Sequence, residues 1–297
     1  MSTRLEMLQV ARLAPQLLGE SSDNVRSFLQ GQITGGGFAD RQGEADLYYT
    51  VFGLDALAAL EPAEKTDAPP PDGAEAFLDA FGGGEQLDLV HLACLARARA
   101  ACGLAQQHAD GVASRLLDLR LDDGGWAMTD ADEASTSYGT FLAIGAQQDL
   151  GLPIGQAAKA ADFLEAMALP DGGFALDART PVATTPTTAA SIVALRQLGR
   201  RATPVHVDWL LARFHRQGGF LAADGAPMPD LLSTAVALHA LSTLEATPDR
   251  LREPLLDFID TLWTSKGGFY GQWSDEELDV EYTFYGLLAL GHIAVMD

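Results

Sequence analysis

The sequence predicts an all-α protein, an α/α toroid in which six two-helix repeats close into a six-hairpin barrel. Three observations predict it. A glycine-rich turn, usually ending in an aromatic, recurs at Gly36-Gly37-Phe38, Gly82-Gly83-Gly84, Gly124-Gly125-Trp126, Gly172-Gly173-Phe174, Gly218-Gly219-Phe220 and Gly267-Gly268-Phe269. Segments before the turns, such as VRSFLQGQ and AADFLEAMAL, are amphipathic like outer helices facing water, whereas those after, such as TAASIVALRQL and STAVALHAL, are apolar nearly all round like buried inner helices. The repeat averages about 47 residues, too long for a tetratricopeptide unit and suited to a helix pair with a substantial loop.

The elements follow in order along a single domain spanning residues 1–297. MSTRLEMLQVARLAPQLLG alternates apolar and polar residues at helical spacing and predicts a first helix rather than a signal peptide. The repeats then fall at approximately 20–60, 75–105, 110–148, 157–199, 205–245 and 252–295. Aligned by leucine spacing, the inner helices place Asp46, Asp88, Glu133, Thr187, Asp230 and Asp279 in one column at their N-termini. A side-chain oxygen there accepts hydrogen bonds from free N–H groups at the positive end of the helix dipole, worth about 0.5–2 kcal/mol, so the column predicts six N-caps. The second repeat is the odd one, with no aromatic in its turn, and the Pro- and acid-rich stretch at 61–77 predicts a surface excursion between repeats. His239 and His292 fall within apolar helices, where core histidines with satisfied hydrogen bonds are expected.

Composition narrows the partners. A formal charge of −22, from 41 acids against 19 bases, opposes nucleic acid and anionic membrane surfaces, whose binding draws on cationic side chains. Cys94 and Cys102 cannot build a disulfide framework and form no C-x-x-C pair, which predicts a reducing cytoplasm. No run of apolar residues is long enough to predict a membrane span.

The Gly-Gly-aromatic turn leading into an apolar helix, repeated over about residues 5–295, resembles the prenyltransferase and squalene-cyclase repeat family. The nearest likeness is to the β subunit of protein prenyltransferases of the Rab geranylgeranyltransferase type, carried by LEMLQVARLAPQLLG and GGFADRQGEADLYYTVFGLDAL. That resemblance implies an isoprenoid in an apolar lumen, transfer to a protein cysteine, a helical α-subunit partner and a catalytic zinc. The family holds zinc through D-x-C and D-x-x-H-T patterns, and here the matching positions are Asp230, Leu232 and Tyr282. Leu232 and Tyr282 do not support the metal, since leucine has no lone pair and phenol is a poor ligand beside imidazole or thiolate. The family's basic diphosphate pocket is also thin, because the six turn-to-cap loops hold only Arg41 and Arg179.

Class II terpene cyclases, of the same repeat family, carry D-x-D-D-T-A at this helix start, with the middle aspartate as general acid. The matching segments are Asp279-Val280-Glu281-Tyr282-Thr283-Phe284 and then Asp230-Leu231-Leu232-Ser233-Thr234-Ala235. Glu281 therefore takes the proton donor's place, and a carboxyl at the mouth of an apolar lumen is pushed toward the raised pKa that a general acid needs. The catalytic candidates are Glu281, Asp279 and Asp230. Asp88 and His91 share a helix face, and with Asp46 and the other rim acids they form a set that suits a hard cation such as magnesium, against the simpler reading of clustered caps. Tyr48, Tyr49, Phe52, Phe141, Tyr282, Phe284 and Tyr285 fall near the starts of inner helices, and with His91 they are the substrate-binding candidates.

The reading that results is a prenyltransferase β-subunit-like protein holding an isoprenoid or other lipid chain in its lumen, any prenyl transfer proceeding without the family's zinc. Two alternatives stand beside it: a non-catalytic toroid that binds lipid or protein, and a class II terpene-cyclase-like enzyme acting through Glu281.

Overall fold

The computed structural model describes residues 1–62 and 69–296. Part of the expected excursion at 61–77 lies outside them, and Pro69 and Pro70 on its described side are exposed. The chain forms α1 (Thr3–Ala11), α2 (Pro15–Leu18), α3 (Ser21–Gly31), α4 (Leu47–Ala59), α5 (Ala74–Asp79), α6 (Leu89–Ala101) and α7 (Ala109–Asp118). It continues through α8 (Ser137–Asp149), α9 (Ala157–Ala166), α10 (Thr185–Gln197), α11 (Pro204–Leu211), α12 (Leu231–Thr243), α13 (Arg252–Asp260) and α14 (Val280–Ile293).

The inner helices α4, α6, α8, α10, α12 and α14 pack in that order, and α14 returns to α4 to close the ring. They run parallel because each is entered from a turn at the same end. Most of their residues are buried, α14 almost entirely. The outer helices α3, α5, α7, α9, α11 and α13 bury only one stripe each, and their exposed faces carry the acids. The resulting protein is an α/α toroid with short antiparallel hairpins at one rim.

Those hairpins fix where each inner helix begins. The turn aromatic pairs with the cap residue across two short strands, as Phe38 with Asp46, Trp126 with Thr136, Phe220 with Asp230 and Phe269 with Asp279. Asp46, Asp88, Asp230 and Asp279 are N-caps, each accepting from the backbone N–H three residues on. Two of the expected caps are corrected. Thr136 rather than Glu133 caps α8, and Thr184 rather than Thr187 caps α10. Residues three apart lie on one face of a helix, so leucine spacing alone does not separate a cap from a residue one turn away.

A threonine four residues beyond the cap locks the joint. The Thr50 hydroxyl accepts from the Phe38 N–H at 2.9 Å and donates to the Asp46 carbonyl. Thr140, Thr188, Thr234 and Thr283 accept from Trp126, Phe174, Phe220 and Phe269 in the same way. The second repeat has Leu92 at this position and Gly84 in place of the turn aromatic, so the hydroxyl acceptor is missing and the Gly84 N–H bonds the Phe81 carbonyl instead.

Glycines permit two close approaches. Gly267 holds φ +97° and lies against the Asn24 carbonyl of α3, so the last turn seats on the first outer helix and seals the ring. Gly53, midway along α4, receives the face of Phe38, and a Cβ there would enter the ring. Gly53→Ala should cost about 1–3 kcal/mol as an overpacked core, read as a lower urea midpoint at unchanged slope.

The N-terminal helix has a role that its sequence did not disclose. α1 lies across the C-terminal ends of the inner helices, packing on α4, α8 and α14. Thr3 N–H donates to Gln148 at 3.1 Å, Arg12 reaches the Ala58 carbonyl, and Glu6 pairs with Arg196 and Gln197. Thr3, Arg4 and Met7 thereby become the floor of the lumen.

Candidate functional site

The ring encloses a cavity of about 380 Å³. On α8 its lining runs from Tyr138 to Asp149, about 16 Å along a helix axis. The upper walls are apolar or aromatic, with Tyr48, Phe52, Phe141 and Tyr285 among the expected rings and small residues such as Ala93, Ala189 and Ala190 between them. Tyr48 packs edge-on to Phe52 at 5.0 Å, Phe52 meets Tyr285 at 5.5 Å, and Tyr138 stacks on Phe141 at 6.1 Å. Leu232 also faces the cavity.

Glu281 sits behind this wall. Its carboxylate accepts from the Tyr48 hydroxyl at 2.7 Å, and the residue is only 9% exposed. Burial pushes its pKa up to about 7, with Asp279 pushing the same way and the Tyr48 and Arg41 contacts opposing. Tyr48 in turn is raised well above a normal phenol by burial and by its neighbours Tyr285 and Glu281. The pair thus holds one exchangeable proton beside an apolar lumen.

The remaining candidates separate. Asp279 is buried, caps α14 and accepts from Arg41 at 2.8 Å, so the first loop's base is held by a carboxylate. Arg41 also lies over the Tyr282 ring at 6.0 Å. Tyr49 adjoins this pair, and burial followed by the Asp279 charge raises its pKa. Tyr282 covers Gly271 outside the lining, and burial brings its pKa to about 12. Phe284 is wholly buried beneath Phe52. His91 bonds Asp88 at 2.7 Å on the rim, and Asp230 is spent as a cap with its pKa raised by burial.

The acids of the rim do not converge. Among the described residues no three of His, Cys, Asp and Glu stand close enough to hold a metal ion, so Asp46, Asp88, His91, Asp230, Asp279 and Glu281 form no magnesium site. The carboxylates are instead engaged as caps or ion pairs.

Polar residues at the closed end complete the cavity, and sequence reasoning missed them. Asp55 of α4, 1% exposed, joins Arg4 of α1 at 3.1 Å and Arg97 of α6 at 2.7 Å. Arg97 lies over the rings of Phe52 and Phe284. Asp149 stands 3.7 Å from Arg4, its pKa raised to about 6 by burial against the pull of Arg4 and Arg97. His239 lines the cavity and contacts His292 at 3.2 Å, but its Nε2 has no hydrogen-bond partner, which corrects the expected satisfied core histidine. Burial, and next the Arg196 charge, lowers the His239 pKa to about 4. The legible signal was Asp55, an acid set inside the apolar run VFGLDALAAL.

The model of the prenyltransferase alpha-alpha toroid domain matches residues 20–74 and 188–294, more than half of the chain. The protein belongs to that family. No curated protein sequence matches it. Among solved structures, a variant of the type II terpene cyclase MstE from Scytonema, in complex with its substrate geranylgeranyl dihydroxybenzoate, is similar with a TM-score of 0.66 at 14% identity, covering 95% of this chain and 97% of that one. Candida albicans protein geranylgeranyltransferase-I, complexed with GGPP, gives 0.60 at 16% identity over 82% of this chain and 85% of that one. The ent-copalyl diphosphate synthase of Streptomyces platensis gives 0.56 at 16% identity over 84% and 50%.

Within the prenyltransferase toroid family, the zinc positions suggested by resemblance do not suit the metal here. Leu232 presents hydrocarbon to the lumen, and Tyr282 keeps its proton near neutral pH because burial raises its pKa to about 12. No helix among the described residues is long and apolar enough to cross a membrane.

Proposed function

We propose that this toroid is a prenyltransferase β-subunit-like protein that binds an isoprenoid or similar lipid chain in its lumen. The observation that carries the reading is the cavity of about 380 Å³ inside the ring, walled mainly by apolar and aromatic side chains from all six inner helices. Burying a flexible hydrocarbon there is favourable in proportion to the apolar area removed from water. Prenyl transfer, where it occurs, proceeds without the family's zinc thiolate. A non-catalytic lipid-binding or protein-binding toroid, with or without a helical α-subunit-like partner, uses the same cavity. Two free cysteines suit a reducing cytoplasm.

The test is a binding measurement with geranylgeraniol and farnesol, using Ala190→Phe to fill the lumen. Ala190 lines the cavity and is nearly buried. The variant should keep its helical circular dichroism and lose at least tenfold in affinity for the longer chain. Unchanged affinity would put the lipid elsewhere.

A second reading is favoured by one observation, the buried Glu281 bonded to the lumen-lining Tyr48, with burial pushing the Glu281 pKa up to about 7. In that reading the neutral Glu281 carboxyl reverses the bond and donates to the Tyr48 oxygen, which turns the Tyr48 proton toward the lumen, and Glu281 passes its proton to Tyr48 as Tyr48 gives its own to an alkene carbon. The π bond supplies the electrons for the new C–H bond and a carbocation remains. The faces of Phe52 and Phe141 stabilise that cation, and a neighbouring proton leaves to the Tyr48 oxygen as Tyr48 hands its own to the Glu281 carboxylate, which restores the acid.

A further inference from the structure

Three hydrogen-bond donors face the lumen with nothing to donate to. Tyr138 stands in the first turn of α8, Tyr285 in the second turn of α14 and Arg97 in the third turn of α6, and all three line the cavity. Side chains on a helix lean toward its N-terminus, so Arg97 reaches back along the wall and its guanidinium carbon lies 5.6 and 5.4 Å from the ring centres of Phe52 and Phe284. Tyr285 meets the same two rings at 5.5 and 5.9 Å. Arg97 Nε donates to Asp55 at 2.8 Å and Nη2 stands 2.7 Å from the same oxygen, which leaves Nη1 as the free corner of the guanidinium.

The Arg97 Nη1, the Tyr138 hydroxyl and the Tyr285 hydroxyl have no hydrogen-bond partner among the described residues, yet none of them is sealed from the lumen as Arg97 Nη2 is. The Arg97 side chain is 20% open, and Tyr285 is 8% exposed. Burial raises the Tyr138 pKa to about 12 and that of Tyr285 well above a normal phenol, Tyr138 adds to the rise at Tyr285, and the Arg97 charge opposes it at both. Both hydroxyls therefore keep their protons at neutral pH, and the three groups lie within electrostatic reach of one another.

Unmatched donors in a largely apolar space cost free energy, so the cluster favours a guest that brings an acceptor. Charge determines which acceptor. The lumen already sets Arg4 and Arg97 against Asp55 and Asp149, with Glu281 behind Tyr48, and a carboxylate or diphosphate would add a further anion among those acids. A hydroxyl would bring another hydrogen to a site already rich in them. A carbonyl oxygen offers two lone pairs, no hydrogen and no charge.

We infer that Arg97, Tyr138 and Tyr285 form a carbonyl-binding subsite, and that the chain lipid held in the lumen carries an uncharged carbonyl group. The inference rests on the lumen-binding reading above and specifies its ligand.

The experiment compares geranylgeranylacetone, an isoprenoid methyl ketone, with the hydrocarbon and the carboxylic acid of matching chain length, by competition against a fluorescent lipid on the 297-residue protein. The ketone should bind about tenfold tighter than the hydrocarbon and more tightly than the acid. Its carbonyl stretch, read by isotope-edited infrared spectroscopy, should fall below the value in hexane, and Tyr285→Phe, which removes only the hydroxyl, should reverse part of that fall and reduce the preference for the ketone. Equal binding of ketone and hydrocarbon, or a carbonyl stretch unchanged from hexane, would mean that the donors hold only water, which overturns the subsite and keeps the lumen reading. Tightest binding of the acid, or a preference that survives intact in both Tyr285→Phe and Tyr138→Phe, overturns the subsite as well. If none of the three chains binds, the lumen reading itself fails.

Discussion

At pH 8, Glu281→Gln should unfold at a higher temperature than the parent protein, and the advantage should shrink to nothing as the pH falls toward 4. Glu281 has a folded pKa of about 7 against an ordinary 4.5, because burial penalises its charge. A raised folded pKa gives a contribution to stability that is complete below the unfolded value of about 4.5 and is lost as pH climbs through about 7. Above that window the parent carries a buried carboxylate that glutamine does not, while the amide oxygen still accepts from Tyr48. The shift corresponds to roughly 3 kcal/mol, or about 5 °C for a chain of this size. Parallel melting curves for the two proteins across pH 4–8 would show that Glu281 titrates as an ordinary surface acid. The same substitution removes the transferable proton, so any protonation-initiated turnover should drop by a factor on the order of 10²–10⁴ or more.

The second large effect is expected at Asp55. Its carboxylate faces two guanidinium groups, Arg4 and Arg97, and is almost wholly buried. Asp55→Ala leaves two buried cations without their shared anion, and removing one partner of a buried pair costs about 3–5 kcal/mol. Urea unfolding should show a correspondingly lower midpoint, and helix α1 should be the first segment to lose hydrogen-exchange protection because Arg4 is its tether to the ring. Combining Asp55→Leu with Arg97→Met should recover much of the loss, since a packed apolar pair avoids the desolvation that the ions incur. A loss under about 1 kcal/mol for Asp55→Ala would mean that water reaches the cluster and already screens it.

The ring was legible because its signals are local and repeated. A turn with glycine at positive φ, a cap and an apolar helix are each readable within a dozen residues, and their recurrence every 47 or so specifies closure. The exact helix starts were not. Glu133 and Thr187 stood in for Thr136 and Thr184 because the deciding contact is a pairing of the turn aromatic with the cap, reinforced by threonines such as Thr140 and Thr188. That bond joins a backbone N–H to a side chain fourteen residues on, and no helical periodicity encodes it. Position in the repeat pointed to Tyr48, Phe52, Phe141 and Tyr285, which line the cavity, and to Glu281, which bonds Tyr48 behind it. The floor was not, because Arg4, Asp55, Arg97 and Asp149 come from four segments that meet only when the ring is closed. Sequence can show that Asp55 needs a partner, while its partners lie 51 residues upstream and 42 downstream.

The lumen is built from two independent parts of the chain. Six inner helices fix its width, with caps and threonines setting where each begins and turn glycines seating each turn on the next outer helix. A nine-residue helix fixes its depth, and only three of its residues, Thr3, Arg4 and Met7, face the space. A single substitution at Met7 therefore lengthens or shortens the chamber by a side chain without disturbing any wall. A toroid made this way tunes the length of its guest at the base, like a plug moved along a tube of fixed bore.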